Sequence, residues 1–554
     1  MAEVREGAHG AVASWVAKSW RQGPPPGACW LARWSRLLAA FGGLGAVTAL
    51  GVAAWAPAAA LEQPFWLELL GLARLQAAEP GVLHRSALRA GSAQVALACL
   101  LLSAAALWLA RAPAARDAAG RSSSPLESPL AVALLVYIAL WFHVALPQLP
   151  DPATSPLLVE QNFDSHSYVH QAAAWLRGDL HIDRVLHDTI AVGDRRYTIF
   201  PPFPALLLLP LVAAFGSATK TLLLTPVLGA LTALASMRAL TRLEVPGAVA
   251  AWCTAGLVLG SPLLLVSGNA TDSYFAHCCA MSCAMAAFCE LTGRCRPWLV
   301  GLLLGAAVLS RQLTILMLPF FLAAVALPGA LRAPAGPQAR AVPATSLVRA
   351  LALLGPLALC ITTYALHNWA RSGDWLDTGY NSLVERGWYK YRANTYGDFD
   401  WAYVPSNLLR LLVLGLGIDF ESGSYMVPRF TGFGSSLTFT SPFLYFALKD
   451  LAPRSRLLPG PRLLRPVAWL SIAATVLAVL LHKSALGGYQ IHGQRYTLDF
   501  TPLLFPIAAL AIARAWPHPQ GLLARWLIGY SIAAALLILH VMPALISVLR
   551  GLPH

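Results

Sequence analysis

The stretch NFDSHSYVHQAAAWLRGD, residues 162–179, opens a polar segment of roughly fifty residues between two strongly apolar parts of the chain. Asp164, Tyr168, Gln171 and Trp175 recur at the spacing of one helix face, and Gly178 is placed to end that helix. Apolar runs of spanning length flank the polar segment. The stretch therefore predicts a helical membrane protein with a short helix at the bilayer surface.

The composition indicates a membrane protein. Of the 554 residues, 57% are hydrophobic and only 12% are charged, about half the charged fraction of a soluble domain. The formal net charge is +14, but the basic residues form no stripe or tail, which argues against nucleic-acid binding. Most of the nine cysteines fall inside apolar runs, so packing on spanning helices explains them better than disulfides or a metal site.

We expect an all-α polytopic protein with about thirteen transmembrane helices. The first apolar run follows a polar lead of 36 residues and has no clear cleavage box, so it is predicted to be retained. The predicted spans lie near residues 37–56, 94–110, 129–147, 219–237, 247–266, 275–291, 298–309, 312–328, 350–366, 436–448, 466–482, 499–514 and 526–548.

The charge distribution gives the orientation. With the N-terminus in the cytoplasm, the balance of charged residues is about +15 in the inner loops and about −1 elsewhere, in agreement with the positive-inside rule. Two large loops, 148–218 and 367–435, then face outward. Each loop contains an apolar stretch that begins near a proline. We interpret these two stretches, 201–215 and 408–416, as interfacial helices.

The first outer loop carries the leading candidate residues. Asp164 directly follows a predicted span and opens the helix face with Tyr168, although a plain helix N-cap explains Asp164 equally well. Farther on, Arg196 precedes the interfacial prolines, where it is expected to meet lipid phosphate or to anchor the loop. The His and Asp residues between these points suggest a divalent cation, but their spacing is irregular and favours a solvated loop.

Later outer turns supply further candidates. Asp272 follows a span directly, and Arg311 interrupts an apolar hairpin, where a cation must either snorkel to the surface or meet an anion. His492 and Arg495 lie in the glycine-rich turn 487–496, which suits a phosphate at the membrane surface but also fits an ordinary interfacial turn.

The order of these motifs resembles the GT-C superfamily of membrane glycosyltransferases, whose members include protein O-mannosyltransferases and the aminoarabinose transferase of lipid A. The resemblance rests on a D-x3-Y-x9-G pattern from Asp164 to Gly178, on the proline-rich interfacial segment and on Asp272. The hairpin 301–311 and the Gly-Gln-Arg-Tyr motif at 493–496, before Asp499 and Pro502, are further landmarks. The superfamily-like core covers about residues 129–515, after an N-terminal part (1–128) with two extra spans and before a C-terminal span (516–554). Asp-Ser-His stands where two branches of the superfamily have Asp-Glu.

The resemblance implies an inverting transfer of a sugar from a polyprenyl phosphate to an acceptor hydroxyl on a glycan, a lipid or a protein. It implies that Asp164 is the base, and that Arg311, Arg495 and His492 neutralise the leaving phosphate. It also implies that Tyr168 and Asp272 orient the acceptor or assist the base. A divalent cation is a possible cofactor. The expected location is a bacterial inner membrane with the site on the periplasmic side.

Two other functions stay open. A transporter or flippase for a lipid-linked glycan would hold charges near the bilayer midplane, whereas the polar residues here crowd one face. A membrane O-acyltransferase would place a histidine deep in an apolar segment, whereas His277 and His367 lie at the ends of predicted spans.

Overall fold

The computed structural model describes most of the chain between residues 85 and 545. The described residues are 35–40, 42, 43, 46, 85–111, 127–145, 167–182, 185, 186, 188–216, 219–268, 272–327, 331, 344–382, 387–420, 428–430, 435–453, 455, 457–483, 494–543 and 545. Asp164 and His492 lie outside them.

The described part is predominantly helical, as predicted. Its α-helices are α1 (Arg85–Arg111), α2 (Pro129–Ala145), α3 (Ser167–Leu176), α4 (Phe203–Phe215), α5 (Thr225–Arg242), α6 (Gly247–Leu259), α7 (Pro262–Ser267), α8 (Asp272–Thr292), α9 (Pro297–Val308), α10 (Leu318–Ala326), α11 (Ala344–Ser372), α12 (Gly387–Tyr396), α13 (Val404–Leu412), α14 (Leu437–Thr440), α15 (Leu464–Leu481), α16 (Thr501–Ala515) and α17 (Pro519–Leu536). Shorter helical turns of 3-10 type cover Thr221–Leu223, Gln312–Met317, Tyr380–Ser382, Trp401–Tyr403, Pro442–Leu451 and Arg495–Asp499, and a π-helix covers Leu537–Val541.

Two short antiparallel hairpins interrupt the helical pattern. Strands β1 (Thr189–Val192) and β2 (Arg195–Thr198) pair within the first of the two loops predicted to face outward, and β3 (Ile418–Phe420) and β4 (Pro428–Phe430) pair within the second. These few strands leave the predicted all-α class in place. Both hairpins lie in loops between apolar helices, where hydrophobic periodicity carries little information.

Within the described residues, five helices are long and apolar enough to cross a membrane: Thr221–Arg242, Asp272–Thr292, Ser346–Ser372, Leu464–Leu481 and Pro519–Val541. From residue 94 onward, the other predicted spans coincide with shorter apolar helices or with helices joined by a break, whereas most of 37–56 lies outside the described residues. The chain therefore has the helices of a multi-pass membrane protein, and the number thirteen stays a prediction.

Two predicted spans are broken. The run 247–266 is divided at Gly260 and Ser261, because the Ser261 hydroxyl caps α7 by accepting from the Leu263 N–H, and the Ser441 hydroxyl donates to the Gly260 carbonyl. The run 436–448 is mostly 3-10 helix, over Pro442–Leu451. A 3-10 helix rises about 2 Å per residue, so this short segment reaches farther than an α-helix of the same length.

The core lies where α5 packs against α2 and α8 and where α16 is enclosed by its neighbours. In the apolar window of α8, 78% of the residues are buried, whereas in that of α11 only 11% are. Helix α11 has 29 residues and is therefore about 43 Å long, longer than a hydrocarbon core of about 30 Å.

Candidate active site

The first outer helix is anchored to the start of α8. The Ser167 hydroxyl at the N-terminus of α3 donates a 2.6 Å hydrogen bond to Asp272 Oδ2, and both side chains are buried. Asp272 is the first residue of α8, where the N-terminal end of the helix dipole stabilises a carboxylate. Helix α3 ends as predicted: Gly178 has φ of 84° and its N–H donates to the Trp175 carbonyl. These contacts bring the first outer loop to Asp272.

A buried ion pair lies between two other helix ends. Arg311, three residues beyond the end of α9, donates from Nε and Nη2 to the two carboxylate oxygens of Asp499, at 3.2 and 2.8 Å. Burial lowers the pKa of Arg311, but the Asp499 charge outweighs this and holds that pKa above its usual value. His277 Nδ1, one turn into α8, lies 3.7 Å from Asp499 Oδ1. Asp499 therefore links the starts of α8 and α16 to Arg311.

Arg495 completes the cluster from the turn before α16. Its Nη1 donates to Ser273 Oγ at 3.0 Å, next to Asp272. The guanidinium lies over the rings of Tyr274 and Tyr496, at 4.7 and 5.3 Å from their centroids. Arg311 approaches the Tyr496 ring from 5.0 Å, so Tyr496 separates the two cations.

Tyr168 closes the cluster on the side of α3. The side chain is fully buried, with its ring 5.4 Å from Phe200 and 6.2 Å from Phe275. Burial, and after it the charge of Asp272, raise the pKa of Tyr168 well above its usual value. The phenol therefore keeps its proton at neutral pH and is available as a hydrogen-bond donor.

Loop contacts hold this arrangement together. The Phe203 N–H at the start of α4 donates to the Leu309 carbonyl at 3.0 Å, which ties the interfacial helix to the turn that carries Arg311. Arg371 of α11 donates from Nη1 to the Thr198 carbonyl at 2.8 Å, so the first hairpin is fixed to a spanning helix. The interfacial helix was predicted at 201–215, and α4 covers nearly that stretch.

The structure brings four of the predicted residues, Tyr168, Asp272, Arg311 and Arg495, into one cluster. Arg196 lies instead on β2, where it pairs with Ala191 and its carbonyl accepts from the Ile182 N–H, and its predicted phosphate contact stays a prediction. The roles of Asp164 and His492 also stay predictions. Among the described residues no group of three or more His, Cys, Asp or Glu could hold a metal ion, and the question of a divalent cation stays open.

Asp499 is the principal residue that the sequence analysis did not select. It was noted only as a landmark after the Gly-Gln-Arg-Tyr motif, yet it is the partner of Arg311 and its side chain is 1% exposed. The signal was the same one that marked Asp272, a carboxylate at the very end of a span. Nothing in the local sequence indicates a pairing with a residue 188 positions away.

Comparison with known proteins gives weak structural likenesses. No protein-family model and no curated protein match the chain. The apo oligosaccharyltransferase of Archaeoglobus fulgidus matches with 16% identity and a TM-score of 0.37, over 77% of this chain and 56% of that one. ArnT from Cupriavidus metallidurans, bound to undecaprenyl phosphate, has the same identity and TM-score over 76% and 74% of the two chains.

A second structure of the archaeal enzyme, AglB with an inhibitory peptide and a dolichol-phosphate, matches with 15% identity and a TM-score of 0.35, over 76% and 55% of the two chains. The chain thus spans little more than half the length of the oligosaccharyltransferase. The matched proteins are members of the GT-C superfamily, which the sequence motifs resemble. TM-scores below 0.5 identify no corresponding residues, so the roles proposed below rest on contacts within this chain.

Proposed function

We propose that this chain is an inverting glycosyltransferase that moves a sugar from a polyprenyl phosphate to an acceptor hydroxyl at the extracytoplasmic face. The observation that carries the proposal is the convergence of two helix N-termini, those of α8 and α16, with Arg311, Arg495 and two buried carboxylates. Helix N-termini and arginines together favour a bound phosphate. Carboxylates beside them supply the base that an acceptor hydroxyl requires.

In the proposed reaction Asp164 takes the proton of the acceptor hydroxyl. Asp164 precedes Ser167, which is bonded to Asp272, by three positions in the chain. The acceptor oxygen attacks the anomeric carbon opposite the leaving phosphate, the bond from carbon to phosphate oxygen breaks, and the anomeric configuration inverts. The leaving phosphate is a weak base, so it needs positive charge rather than a proton, and Arg495 and the helix N-termini supply that charge.

A transporter or flippase is the competing proposal. Its charged residues would be expected within spanning helices near the midplane, whereas Asp272, Arg311 and Asp499 lie at helix ends. The membrane O-acyltransferase has no supporting contact: His277 lies against Asp499 and Tyr496 at the start of α8.

The direct test is transfer of a radiolabelled sugar from polyprenyl phosphate by the purified full chain in nanodiscs. Asp164→Asn is expected to reduce the rate by about 10²–10⁴-fold, the usual contribution of a general base, with expression and undecaprenyl-phosphate binding unchanged. Asp179→Asn is the matched control, because that carboxylate belongs to the same loop and its side chain is 44% exposed. Full activity of the Asp164 variant would refute the assigned role.

A binding measurement tests the phosphate site separately. Arg495→Gln is expected to weaken binding of undecaprenyl phosphate by about 10- to 150-fold, since a hydrogen bond to a charged group contributes about 1.5–3 kcal/mol. Arg177→Gln is the control, because its side chain is 50% exposed and lies in the outer loop. Equal affinity of the two variants would contradict the proposed phosphate site.

A further inference from the structure

Five buried polar atoms on α3 and α11 have no hydrogen-bond partner among the residues that the structure describes. They are Tyr168 Oη, Gln171 Oε1 and Trp175 Nε1 on α3, and His367 Nε2 and Arg371 Nε on α11. The three residues of α3 share one helix face, and the Trp175 and His367 rings meet edge to face at 5.9 Å. We call these five side chains the outer polar strip.

Burial makes the unpaired atoms significant. Tyr168 is 0% exposed, Gln171 1% and Arg371 4%, so water reaches none of them freely. A buried donor or acceptor without a partner is destabilising, and native proteins hold few of them. Trp175 and His367 are only partly buried as residues, although their Nε1 and Nε2 atoms are covered, so this end of the strip lies nearest the surface. Five such atoms on two neighbouring helices point to a polar occupant that enters from that end.

The donor and acceptor pattern restricts the chemistry of the occupant. The phenol, the indole N–H and the Arg371 Nε–H are donors, whereas the Gln171 carbonyl oxygen is an acceptor. A carboxylate or a phosphate cannot donate to Gln171, and an ammonium group cannot accept from Trp175. Hydroxyl groups do both. The aromatic rings of Tyr168 and Trp175 add apolar surface of the kind that lines small-molecule sites.

Within the strip, the charge disfavours a cationic ligand beside Arg371. Arg371 is the one permanently charged side chain among the five, and a cationic amino sugar placed beside it would be repelled. The chemistry that matches every member is therefore an uncharged ring with several hydroxyl groups.

The strip also begins at the candidate active site. Tyr168 is close enough to Asp272 and Arg311 for their charges to act on its hydroxyl. From Tyr168 to Trp175 the strip runs seven residues along α3, or about 10 Å. We propose that the outer polar strip binds an uncharged sugar ring, carried by the donor or by the acceptor, and so determines which sugar this enzyme uses. This inference rests on the proposed glycosyltransferase function.

The test compares the affinities of the full chain in nanodiscs for undecaprenyl phosphate, undecaprenyl-phosphate glucose and undecaprenyl-phosphate aminoarabinose. Maltotriose, a free neutral trisaccharide, represents the acceptor. The variants are Gln171→Met and Trp175→Phe, which remove one polar group each and keep most of the side-chain volume. Trp369→Phe is the matched control, because Trp369 belongs to α11 but is 50% exposed.

Each variant is expected to reduce binding of the neutral sugar by about two- to twelvefold, the usual effect of one neutral hydrogen bond, with less than a twofold change for bare undecaprenyl phosphate. A loss confined to the glucose lipid assigns the strip to the donor, and one confined to maltotriose assigns it to the acceptor. The aminoarabinose lipid is expected to bind no better than the bare lipid.

Equal losses for bare and sugar-bearing lipid, or no loss in either variant, would overturn the inference, because the strip would then be structural or filled by water. Preferred binding of the aminoarabinose lipid would overturn the exclusion of cationic sugars. If undecaprenyl phosphate itself does not bind to the wild type, the proposed function fails instead. The ratio of the affinities for undecaprenyl-phosphate glucose and for bare undecaprenyl phosphate is insensitive to a general loss of stability. If Gln171→Met does not fold, Trp175→Phe serves as the test.

Discussion

The Arg311–Asp499 pair offers the sharpest test of the structure. Its two hydrogen bonds of 3.2 and 2.8 Å join the turn after α9 to the turn before α16, and the side chains are 15% and 1% exposed. Removing one partner of a buried ion pair leaves an uncompensated charge and costs about 3–5 kcal/mol. Arg311→Met leaves the more deeply buried charge alone, so it is expected to destabilise more than Asp499→Leu.

The double variant is expected to be more stable than either single variant. When both charges are replaced by apolar groups of similar volume, the change in stability is often close to neutral, because the desolvation cost of the pair disappears as well. The expected coupling free energy between the two sites is therefore several kcal/mol. For the exposed pair Arg177–Asp179, at 3.9 Å with side chains 50% and 44% exposed, the same cycle should give about 0–1 kcal/mol.

The assay is a double-mutant cycle on the free energy of unfolding, measured by titration with a denaturing detergent under conditions where refolding is verified. Additive effects of Arg311→Met and Asp499→Leu, or a coupling no larger than that of the Arg177–Asp179 control, would refute the buried pair. A loss of sugar transfer in the double variant despite recovered stability would show that the charges also act on the substrate.

Two further predictions concern the end of α15. Burial, and after it the charge of Arg311, lower the pKa of His482 to about 4. The unfolded chain therefore binds this proton more tightly than the folded protein does. The free energy of unfolding is expected to be highest above pH 6.5 and to fall by about 3 kcal/mol as the pH drops towards 4. His482→Phe is expected to flatten this part of the stability–pH curve. An unaltered curve in the His482 variant would contradict the burial of its neutral form. Lys483 Nζ forms a 2.6 Å ion pair with Asp398, and Lys483→Met is expected to destabilise the contact between α15 and the second outer loop by about 1–3 kcal/mol. Faster amide hydrogen exchange at Asp398 and Phe399 would show this, and exchange at the wild-type rate would argue against the pair.

The helices could be predicted from sequence because a membrane helix is a long apolar run. Helix α3 is an example of a finer prediction that held, since Gly178 adopts the positive φ that ends the helix where expected. Breaks inside apolar runs were missed. Gly260 and Ser261 divide one predicted span, but their effect depends on a hydrogen bond from Ser441, which no local pattern reveals.

The site was predictable one residue at a time but not in its pairing. Charges at the ends of apolar runs stand out in a sequence with so few of them, and Asp272, Arg311 and Arg495 were found that way. Which charge meets which partner depends on how helices pack. Two contacts join residues far apart in the chain: the Arg311–Asp499 ion pair and the ring contact between Trp175 and His367. Only the folded structure shows them.

The ion pair with Asp499 distinguishes Arg311 from Arg495, to which the sequence motifs assign the same role. Arg311 is bound by both oxygens of Asp499, so its charge is already balanced before any ligand arrives. Arg495 donates to the Ser273 hydroxyl beside the N-terminus of α8 and lies over two tyrosine rings. Its position at that helix N-terminus, rather than between two helix ends, is why we assign the phosphate to Arg495. Replacing Arg311 should mainly reduce stability, and replacing Arg495 should mainly reduce phosphate affinity; the opposite pattern would mean that the two roles are exchanged.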